Sequence, residues 1–305
     1  MCLTCGLRRC KPWWMVMSYL ESAFVFVSRG QSLPAILAAP ETAQDTGVLL
    51  VVGGPQYRVG SHRQFVLLAR ALAVAGIPAL RFDSGGMGDA SGPLLSFEQI
   101  DADIAAAVDA FFARQPGLKQ VVLWGLCDAA SASLFYAWRD PRVTGLVLLN
   151  PWVRTDAGLA QAYVQHYYRQ RLLSREFWGK LLGGGVDVRG ALKGFWSKLK
   201  QARQASSSQD WPVTVQADSD AGMPLPQRML RGMQRFNGRV LLILSGDDLT
   251  AAEFRNLVAA SPEWQQQRQD QTVQVRELKQ ANHTFSRRDW REQVERWTID
   301  WVKHE

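Results

Sequence analysis

The stretch VVLWGLCDAAS, residues 121–131, joins a run of apolar residues to a segment rich in alanine and serine. A continuous apolar run that ends at a glycine is typical of a strand covered on both faces, and residues 127–140 are predicted to form a helix. A cysteine at such a junction is either a small buried hydrophobic residue or a nucleophile at the carboxyl end of a strand. The other three cysteines all lie within the first ten residues, so Cys127 stands apart in the chain.

Strands and helices alternate on both sides of this junction. Residues 24–41 predict a hairpin that turns at Arg29-Gly30, and GVLLVVGG (47–54) predicts a strand buried on both faces. The further predicted elements are a helix over 62–76, a strand over 77–83, a helix over 96–116 with a capping box of Ser96 and Gln99, strands over 119–125 and 143–152, a strand over 239–248, a helix over 251–260, a strand over 272–279 and a helix over 287–303. Repeated βαβ units of this kind predict an α/β protein with a mostly parallel sheet and helices on both faces.

Composition and charge suggest how the chain divides. With 305 residues, 47% of them hydrophobic and 21% charged, the chain has the composition of a globular protein. We interpret 1–16 as a disordered extension, 17–152 together with 237–305 as the core, and 153–236 as an inserted, mostly helical cap. Within that cap, residues 169–203 carry nine lysines and arginines against two acidic residues, an excess equal to the net charge of +7 of the whole chain.

Cysteine usage and hydropathy bear on the compartment. Cys2, Cys5 and Cys10 lie without a nearby histidine or fourth cysteine, so they do not make up the four ligands of a structural zinc site. No cysteine pairs occur in the body of the chain, which excludes a disulfide framework and favours a reducing, cytoplasmic compartment. No segment is apolar enough over 18 residues to span a bilayer.

Residues with nucleophilic or titratable side chains follow the predicted strands. In open parallel sheets, functional groups collect at the carboxyl ends of the strands. The residues in those positions are Gly53-Gly54-Pro55-Gln56-Tyr57, Asp83, Cys127, Asp248 and His283. They include a nucleophile, an acid and a histidine, in that order along the chain.

The motifs resemble those of the α/β-hydrolase superfamily. GLCDAA resembles the nucleophile elbow with cysteine in place of serine, although Ala129 stands where the pattern G-x-nucleophile-x-G has its last glycine. VVGGPQYRVGSHRQF lies where the oxyanion loop is expected, SGDDLT (245–250) resembles the acid turn, and ANHTF (281–285) resembles the histidine turn. RFDSGGMGDASG (81–92) resembles a loop of the form D-x-R-G-x-G-x-S. The ordered set, over roughly residues 20–303, is most similar to the exosortase A system-associated hydrolases, type 1, which are encoded beside exopolysaccharide and protein-sorting genes.

The resemblance implies an α/β-hydrolase fold with a helical cap and a catalytic triad of Cys127, His283 and Asp248. The thiolate of Cys127 is the reactive form, and the imidazole of His283 takes the thiol proton and passes it to the leaving group. Asp248 fixes the imidazole tautomer. Asp247, the preceding residue, is the alternative acid.

The oxyanion hole is expected to combine the backbone N–H of Asp128 with one N–H from the loop after Gly54. Pro55 has no N–H, so Gln56 is the first choice and Tyr57 the second. The side chain of Asp128 either raises the pKa of Cys127 by like-charge repulsion or caps the following helix.

These residues favour a hydrolase that cleaves an ester or thioester through an acyl-enzyme, without cofactor or metal. The resemblance implies a role in exopolysaccharide biosynthesis or an exosortase system. The alternatives are an acyltransferase that uses the same site and a non-catalytic partner protein of that machinery. The basic cap is either a solvated face or a lid that attracts an anionic or carrier-linked acyl substrate or contacts an anionic membrane. Nucleic acid is not an expected partner, since no binding motif accompanies the charge. The oligomeric state stays open.

Overall fold

The protein is described by a computed structural model that covers residues 19–54, 56–153, 220 and 222–304. Eight strands of these residues form one sheet. The strands are β1 (Tyr19–Ser28), β2 (Gln31–Pro40), β3 (Thr46–Val51), β4 (Ala79–Phe82), β5 (Gln120–Leu126), β6 (Val143–Leu149), β7 (Arg239–Ser245) and β8 (Val273–Leu278).

The sheet is mostly parallel, in the order β1-β2-β4-β3-β5-β6-β7-β8. Only β2 runs against its neighbours, because it pairs antiparallel with both β1 and β4. The β1–β2 hairpin turns at Arg29 and Gly30, which have φ of 50° and 75°. Two residues with positive φ suit the tight hairpin turn that the sequence predicts.

Helices cover both faces of the sheet, as predicted. They are α1 (Gln64–Val74), α2 (Asp101–Arg114), α3 (Asp128–Tyr136), α4 (Leu225–Arg235), α5 (Leu249–Ala260), α6 (Pro262–Gln269) and α7 (Arg288–Lys303). Apolar residues of α1 and α7 share one core cluster, and those of α2 to α6 share the other. Consecutive residues of β5 alternate between the two clusters, which is why this strand reads as a continuous apolar run.

Two predicted helices begin differently from expectation. The predicted helix over 62–76 starts with a 3-10 turn at Ser61–Arg63, where His62 and Arg63 have positive φ, and α1 begins only after it. The capping box of Ser96 and Gln99 is present, but it caps the start of a 3-10 turn that precedes α2. Helix α6 was not predicted; it begins at a proline in the first helical position, after the cap Ser261.

The predicted domain boundaries stay a prediction. The extension 1–16 and most of the cap, 154–219, lie outside the described residues. The described end of the predicted cap contains α4, which packs on α3: Met229 is fully buried, and Gly232 lies so close to the carbonyl of Leu134 that a Cβ would be 2.2 Å from its oxygen. Helix α4 is therefore part of the core's helical layer. No described helix is long and apolar enough to cross a bilayer.

Candidate active site

The turn from β5 to α3 holds Cys127 in an unusual conformation. Its backbone has φ 63° and ψ −122°, a region that residues with a Cβ rarely adopt. Its N–H donates to the carbonyl of Leu149 over 2.8 Å, and its own carbonyl accepts from Trp152 N–H over 3.2 Å. Gly125 permits this turn, because a Cβ there would lie 2.7 Å from the backbone of Ala129. Cys127 is partly exposed and is not in a disulfide.

His283 and Asp248 meet at the neighbouring strand ends. Nδ1 of His283 lies 2.9 Å from Oδ2 of Asp248. The carboxylate is buried, while a third of the imidazole is exposed. Asp248 is also the N-cap of α5 and accepts from the N–H groups of Thr250 and Ala251. These two N–H groups fix the carboxylate, so its orientation toward the imidazole does not depend on His283 alone.

Asp247, the alternative acid, occupies a different position in the turn. Its N–H donates to the carbonyl of Ala281 over 3.0 Å and so joins the acid turn to the histidine turn. Gly246 packs tightly on the same turn, since a Cβ there would lie 2.1 Å from the carbonyl oxygen of Lys279. The two turns form one packed unit that sets the distance between Asp248 and His283.

Asn150 is a site-organising residue that the sequence analysis missed. It is fully buried at the end of β6, and its Nδ2 donates to Ser245 Oγ over 2.6 Å and to the carbonyl of His283 over 3.0 Å. Its Oδ1 accepts from Ser245 N–H. Leu149, the preceding residue, accepts the N–H of Cys127, so one turn binds both the elbow and the histidine turn. The polar residue directly after an apolar strand, at Asn150-Pro151, was the available signal.

The loop after β3 binds the elbow through Gly54. Its N–H donates to Oδ2 of Asp128 over 2.6 Å. The N–H of Gln56, the first choice as an oxyanion donor, donates to the carbonyl of Gly54 over 2.8 Å. Gln56 is thus engaged within its own loop, and the N–H that the loop directs to the elbow belongs to Gly54. Tyr57, the second choice, is exposed.

Asp128 is the first residue of α3, and its carboxyl group bridges two segments. Oδ1 accepts from Ala129 N–H over 2.9 Å, as a helix-capping group does, and Oδ2 accepts from Gly54. Burial raises the pKa of Asp128, while hydrogen bonds from the N–H groups of Gly54, Ala129 and Asp128 itself, and the nearby His283, act in the opposite direction. The carboxyl group thus accepts an N–H of the first turn of α3 and binds the loop after β3, while its effect on the pKa of Cys127 stays a prediction.

A second carboxylate fixes the other end of the same loop. Asp83, fully buried after β4, accepts from both the N–H and the guanidinium of Arg58, and from the N–H of Asp89. Arg58 also pairs with the carboxylate of Asp89 over 2.7 Å. These contacts tie the loop after β3 to the loop after β4, so Asp83 has the organising role that the sequence suggested.

No group of three or more His, Cys, Asp or Glu side chains suited to a metal ion occurs within the described ranges. The polar groups at the carboxyl edge of the sheet include the thiol of Cys127, the imidazole of His283, the carboxyl groups of Asp248 and Asp128, and backbone N–H groups. That set can perform proton transfer and nucleophilic attack.

Comparisons with known proteins agree with the fold. The model of the alpha/beta hydrolase family matches residues 48–296. The esterase Pf2001 of Pyrococcus furiosus is similar in structure with a TM-score of 0.62 at 13% identity, over 94% of this chain and 93% of that one. A dienelactone hydrolase from Anabaena variabilis has a TM-score of 0.56 at 15% identity, over 94% and 98% of the two chains.

A cold-adapted esterase from an Arctic intertidal metagenomic library has a TM-score of 0.55 at 16% identity, over 94% of each chain. No curated protein matches the sequence. At these identities the structural likenesses establish the fold, whereas the roles of individual side chains rest on the geometry of this chain.

Proposed function

Because the chain belongs to the alpha/beta hydrolase family, we propose that it cleaves an ester or thioester bond with Cys127 as the nucleophile, His283 as the proton shuttle and Asp248 as the group that orients the imidazole. The observation that carries this proposal is the backbone of Cys127, with φ 63° and ψ −122°. Strain of this kind costs about 1–3 kcal/mol and persists where the surroundings enforce it, typically at reactive groups. A structural thiol has no need of such a conformation.

The reaction follows from the hydrogen bonds of the histidine. Because Nδ1 of His283 is hydrogen-bonded to Asp248, Nε2 is the atom that takes the thiol proton. The thiolate attacks the carbonyl carbon, and the imidazolium then returns the proton to the departing alkoxide or thiolate, leaving an acyl-thioester on Cys127. Water, deprotonated by the same imidazole, attacks the acyl carbon and releases the acid and the free thiol. The N-terminus of α3 favours the thiolate through its N–H groups.

The motifs that resemble the exosortase A system-associated hydrolases support a narrower proposal. We assign the protein to that subtype, acting in the cytoplasm on an acyl group linked to exopolysaccharide biosynthesis or protein sorting. An acyltransferase differs from this hydrolase only in the acceptor that attacks the acyl-thioester. The thioester intermediate suits either acceptor, since thiolates leave readily.

The direct test is the covalent intermediate. The wild-type protein is mixed with p-nitrophenyl acetate, the reaction is quenched, and the mass of the protein is measured by intact-protein mass spectrometry. We expect one acetyl group, located on Cys127 by peptide mapping, and a loss of turnover of at least about 10³-fold in Cys127→Ala. The matched control replaces Cys2, Cys5 and Cys10 together by serine and retains full activity. Acetylation confined to these three cysteines, or undiminished turnover in Cys127→Ala, would refute the proposal.

Product analysis separates hydrolysis from transfer. The same ester is turned over with and without a sugar acceptor, and the released acid is compared with any acylated sugar. We expect acid as the main product. If acylated sugar dominates when the acceptor is present, the protein is an acyltransferase of the same site.

The basic segment 169–203 leads to a proposal about the substrate's charge. We propose that the substrate is anionic or held on an acidic carrier, since nine positive side chains attract such a molecule over a Debye length of about 8–10 Å. Turnover of an acyl carrier protein thioester should then weaken as salt rises, through KM, while turnover of the neutral p-nitrophenyl ester stays constant. Equal salt dependence of the two substrates would contradict this assignment.

A further inference from the structure

The carboxyl group of Asp128 lies against the backbone of the loop after β3. Its Oδ2 accepts the N–H of Gly54 over 2.6 Å, and its Oδ1 accepts the N–H of Ala129 over 2.9 Å. The fit is close: a Cβ on Gly53 would lie 2.0 Å from Oδ1. Gly53 therefore makes room for this carboxyl group, which lies between the loop and the elbow.

One of these N–H groups, that of Gly54, lies where an acyl transfer reaction needs a donor. A tetrahedral oxyanion is held by the N–H of the residue after the nucleophile, Asp128, and by one N–H from the loop. Pro55 has no N–H, and the N–H of Gln56 donates to the carbonyl of Gly54. Gly54 is the loop donor directed to the elbow, and its hydrogen bond goes to Asp128.

We propose that the carboxyl group of Asp128 occupies the oxyanion-binding position in the resting protein, so that the site transfers acyl groups rapidly only after this group is displaced or neutral. The inference rests on the proposed function, because it presumes that Cys127 forms an acyl-enzyme. In this proposal, the side chain of Asp128 occupies the position where the oxyanion forms.

The ionised and the protonated carboxyl group of Asp128 affect the reaction differently. An ionised carboxylate in this position repels both the thiolate of Cys127 and a developing oxyanion. A protonated carboxyl group can instead donate a hydrogen bond to the oxyanion. Burial raises the pKa of Asp128, against the opposing effect of the N–H groups of Gly54 and Ala129 and of the nearby His283, so less acid is needed for the neutral state than at an exposed aspartate.

Among the residues that the structure describes, few other charges around Asp128 could take over this effect. Strand β5 carries none, and α3 carries only Asp128. The titratable and charged groups of the adjoining segments are the Cys127 thiol, the His283–Asp248 pair, Asp247, Tyr57, and Arg58 in its ion pairs with Asp83 and Asp89. A dependence of the reaction on pH that belongs to Asp128 must therefore disappear when Asp128 alone is replaced.

The test compares Asp128→Ala and Asp128→Asn with the wild-type protein from about pH 5 to about pH 9. Alanine frees the N–H of Gly54, and asparagine keeps the shape without the charge. We expect kcat for p-nitrophenyl acetate to rise about 10²-fold at the alkaline end in both variants, the lower end of what one oxyanion donor contributes, and to approach the wild-type value at the acidic end. The matched control is Asp140→Asn, a buried carboxylate before β6 at the opposite edge of the sheet, which should leave kcat unchanged.

A second measurement does not use ester turnover. The rate at which iodoacetamide alkylates Cys127, followed by peptide mapping, reports the fraction of thiolate at each pH. The midpoint should move to lower pH in both Asp128 variants and stay fixed in Asp140→Asn. A thermal melt of each variant shows whether it is folded. If Asp128→Ala is unfolded, Asp128→Asn is used for both measurements.

The outcomes distinguish the two proposals. If the wild-type protein forms an acyl-enzyme on Cys127 but neither Asp128 variant is faster at any pH, or the alkylation midpoint does not move, the inference is wrong and the proposed function stands. If no variant and no wild-type protein forms an acyl-enzyme, both are overturned.

Discussion

Nδ1 of His283 lies 2.9 Å from Oδ2 of Asp248, and the N–H of Ala251 donates to the same carboxylate oxygen from 3.1 Å. Oδ2 of Asp248 is thus hydrogen-bonded both to the imidazole and to an N–H group at the N-terminus of α5. The helix holds the carboxylate whether or not the imidazole is charged, which is the arrangement that a proton shuttle needs.

Replacing Asp248 should damage catalysis much more than folding. In Asp248→Asn, the side-chain oxygen can still cap α5, but the amide no longer supports an imidazolium, so kcat for p-nitrophenyl acetate should fall about 10³- to 10⁴-fold. Asp247→Asn is the matched control, with turnover near the wild-type value and the same melting temperature. Comparable losses in both variants, or a larger loss at Asp247, would assign the acid to the other residue.

Removing Asn150 should affect stability and turnover together. The change to alanine leaves the buried N–H of Ser245 without its acceptor and frees the carbonyl of His283, so we expect the free energy of unfolding to fall by about 2–4 kcal/mol. The histidine turn then loses its tether, which should lower kcat at an unchanged KM. Chemical denaturation and steady-state kinetics measure the two effects.

Ser245→Ala is the control for Asn150. It removes the Oγ acceptor of Asn150 but leaves the hydrogen bond to the His283 carbonyl in place. A loss of kcat as large as that of Asn150→Ala would show that the tether to His283 is not what matters.

The sequence predicts the order of the strands along the chain and the mostly parallel sheet well, because each strand is a local pattern. Alternating apolar runs set the strands, and glycine at position 125 with small residues after Cys127 marks a close strand–helix turn. What it could not predict are contacts made at long sequence separation. The bond from Gly54 to Asp128 spans 74 residues and that from Asn150 to Ser245 spans 95, and no spacing rule connects such pairs. Nor does the sequence show that the N–H of Gln56, the first choice as oxyanion donor, donates to the carbonyl of Gly54.

Glu295 on α7 should make stability depend on pH. It lines a small cavity with Gln64 and Trp124, and its Oε1 lies 3.4 Å from Nε of Arg291 without forming a hydrogen bond. Burial raises the pKa of Glu295 despite the attraction of Arg291. Between the ordinary glutamate pKa, about 4.3, and this raised value, the folded protein binds more protons than the unfolded chain. The free energy of unfolding therefore falls as pH rises through that window.

The variant Glu295→Gln removes this ionisation. We expect it to melt at a higher temperature than the wild-type protein near neutral pH and at the same temperature below about pH 4. Glu292→Gln is the control, because a hydrogen bond from Arg288 lowers the pKa of Glu292 and its neutralisation brings no gain. A stabilisation of Glu295→Gln that is equal at both pH values would contradict the assignment to ionisation.

Gly125, the glycine of the elbow, should not tolerate a side chain. A Cβ at this position would lie 2.7 Å from the carbonyl carbon and oxygen of Ala129, which are backbone atoms that cannot rotate away. Gly125→Ala must push the first turn of α3 off the strand, and with it Cys127 and the N–H of Asp128. We expect a loss of about 1–3 kcal/mol in the free energy of unfolding, typical of an overpacked core.

Turnover should suffer more than stability in Gly125→Ala, because a displacement of about 1 Å at the reacting atoms can cost about 10²-fold in rate. Gly117→Ala is the matched control: it makes the same chemical change where nothing lies within 4 Å of the added Cβ, so both melting temperature and kcat should stay near wild type. If Gly125→Ala retains wild-type kcat and is acetylated on Cys127 at the wild-type rate, then the close approach of α3 to β5 is not what positions the nucleophile.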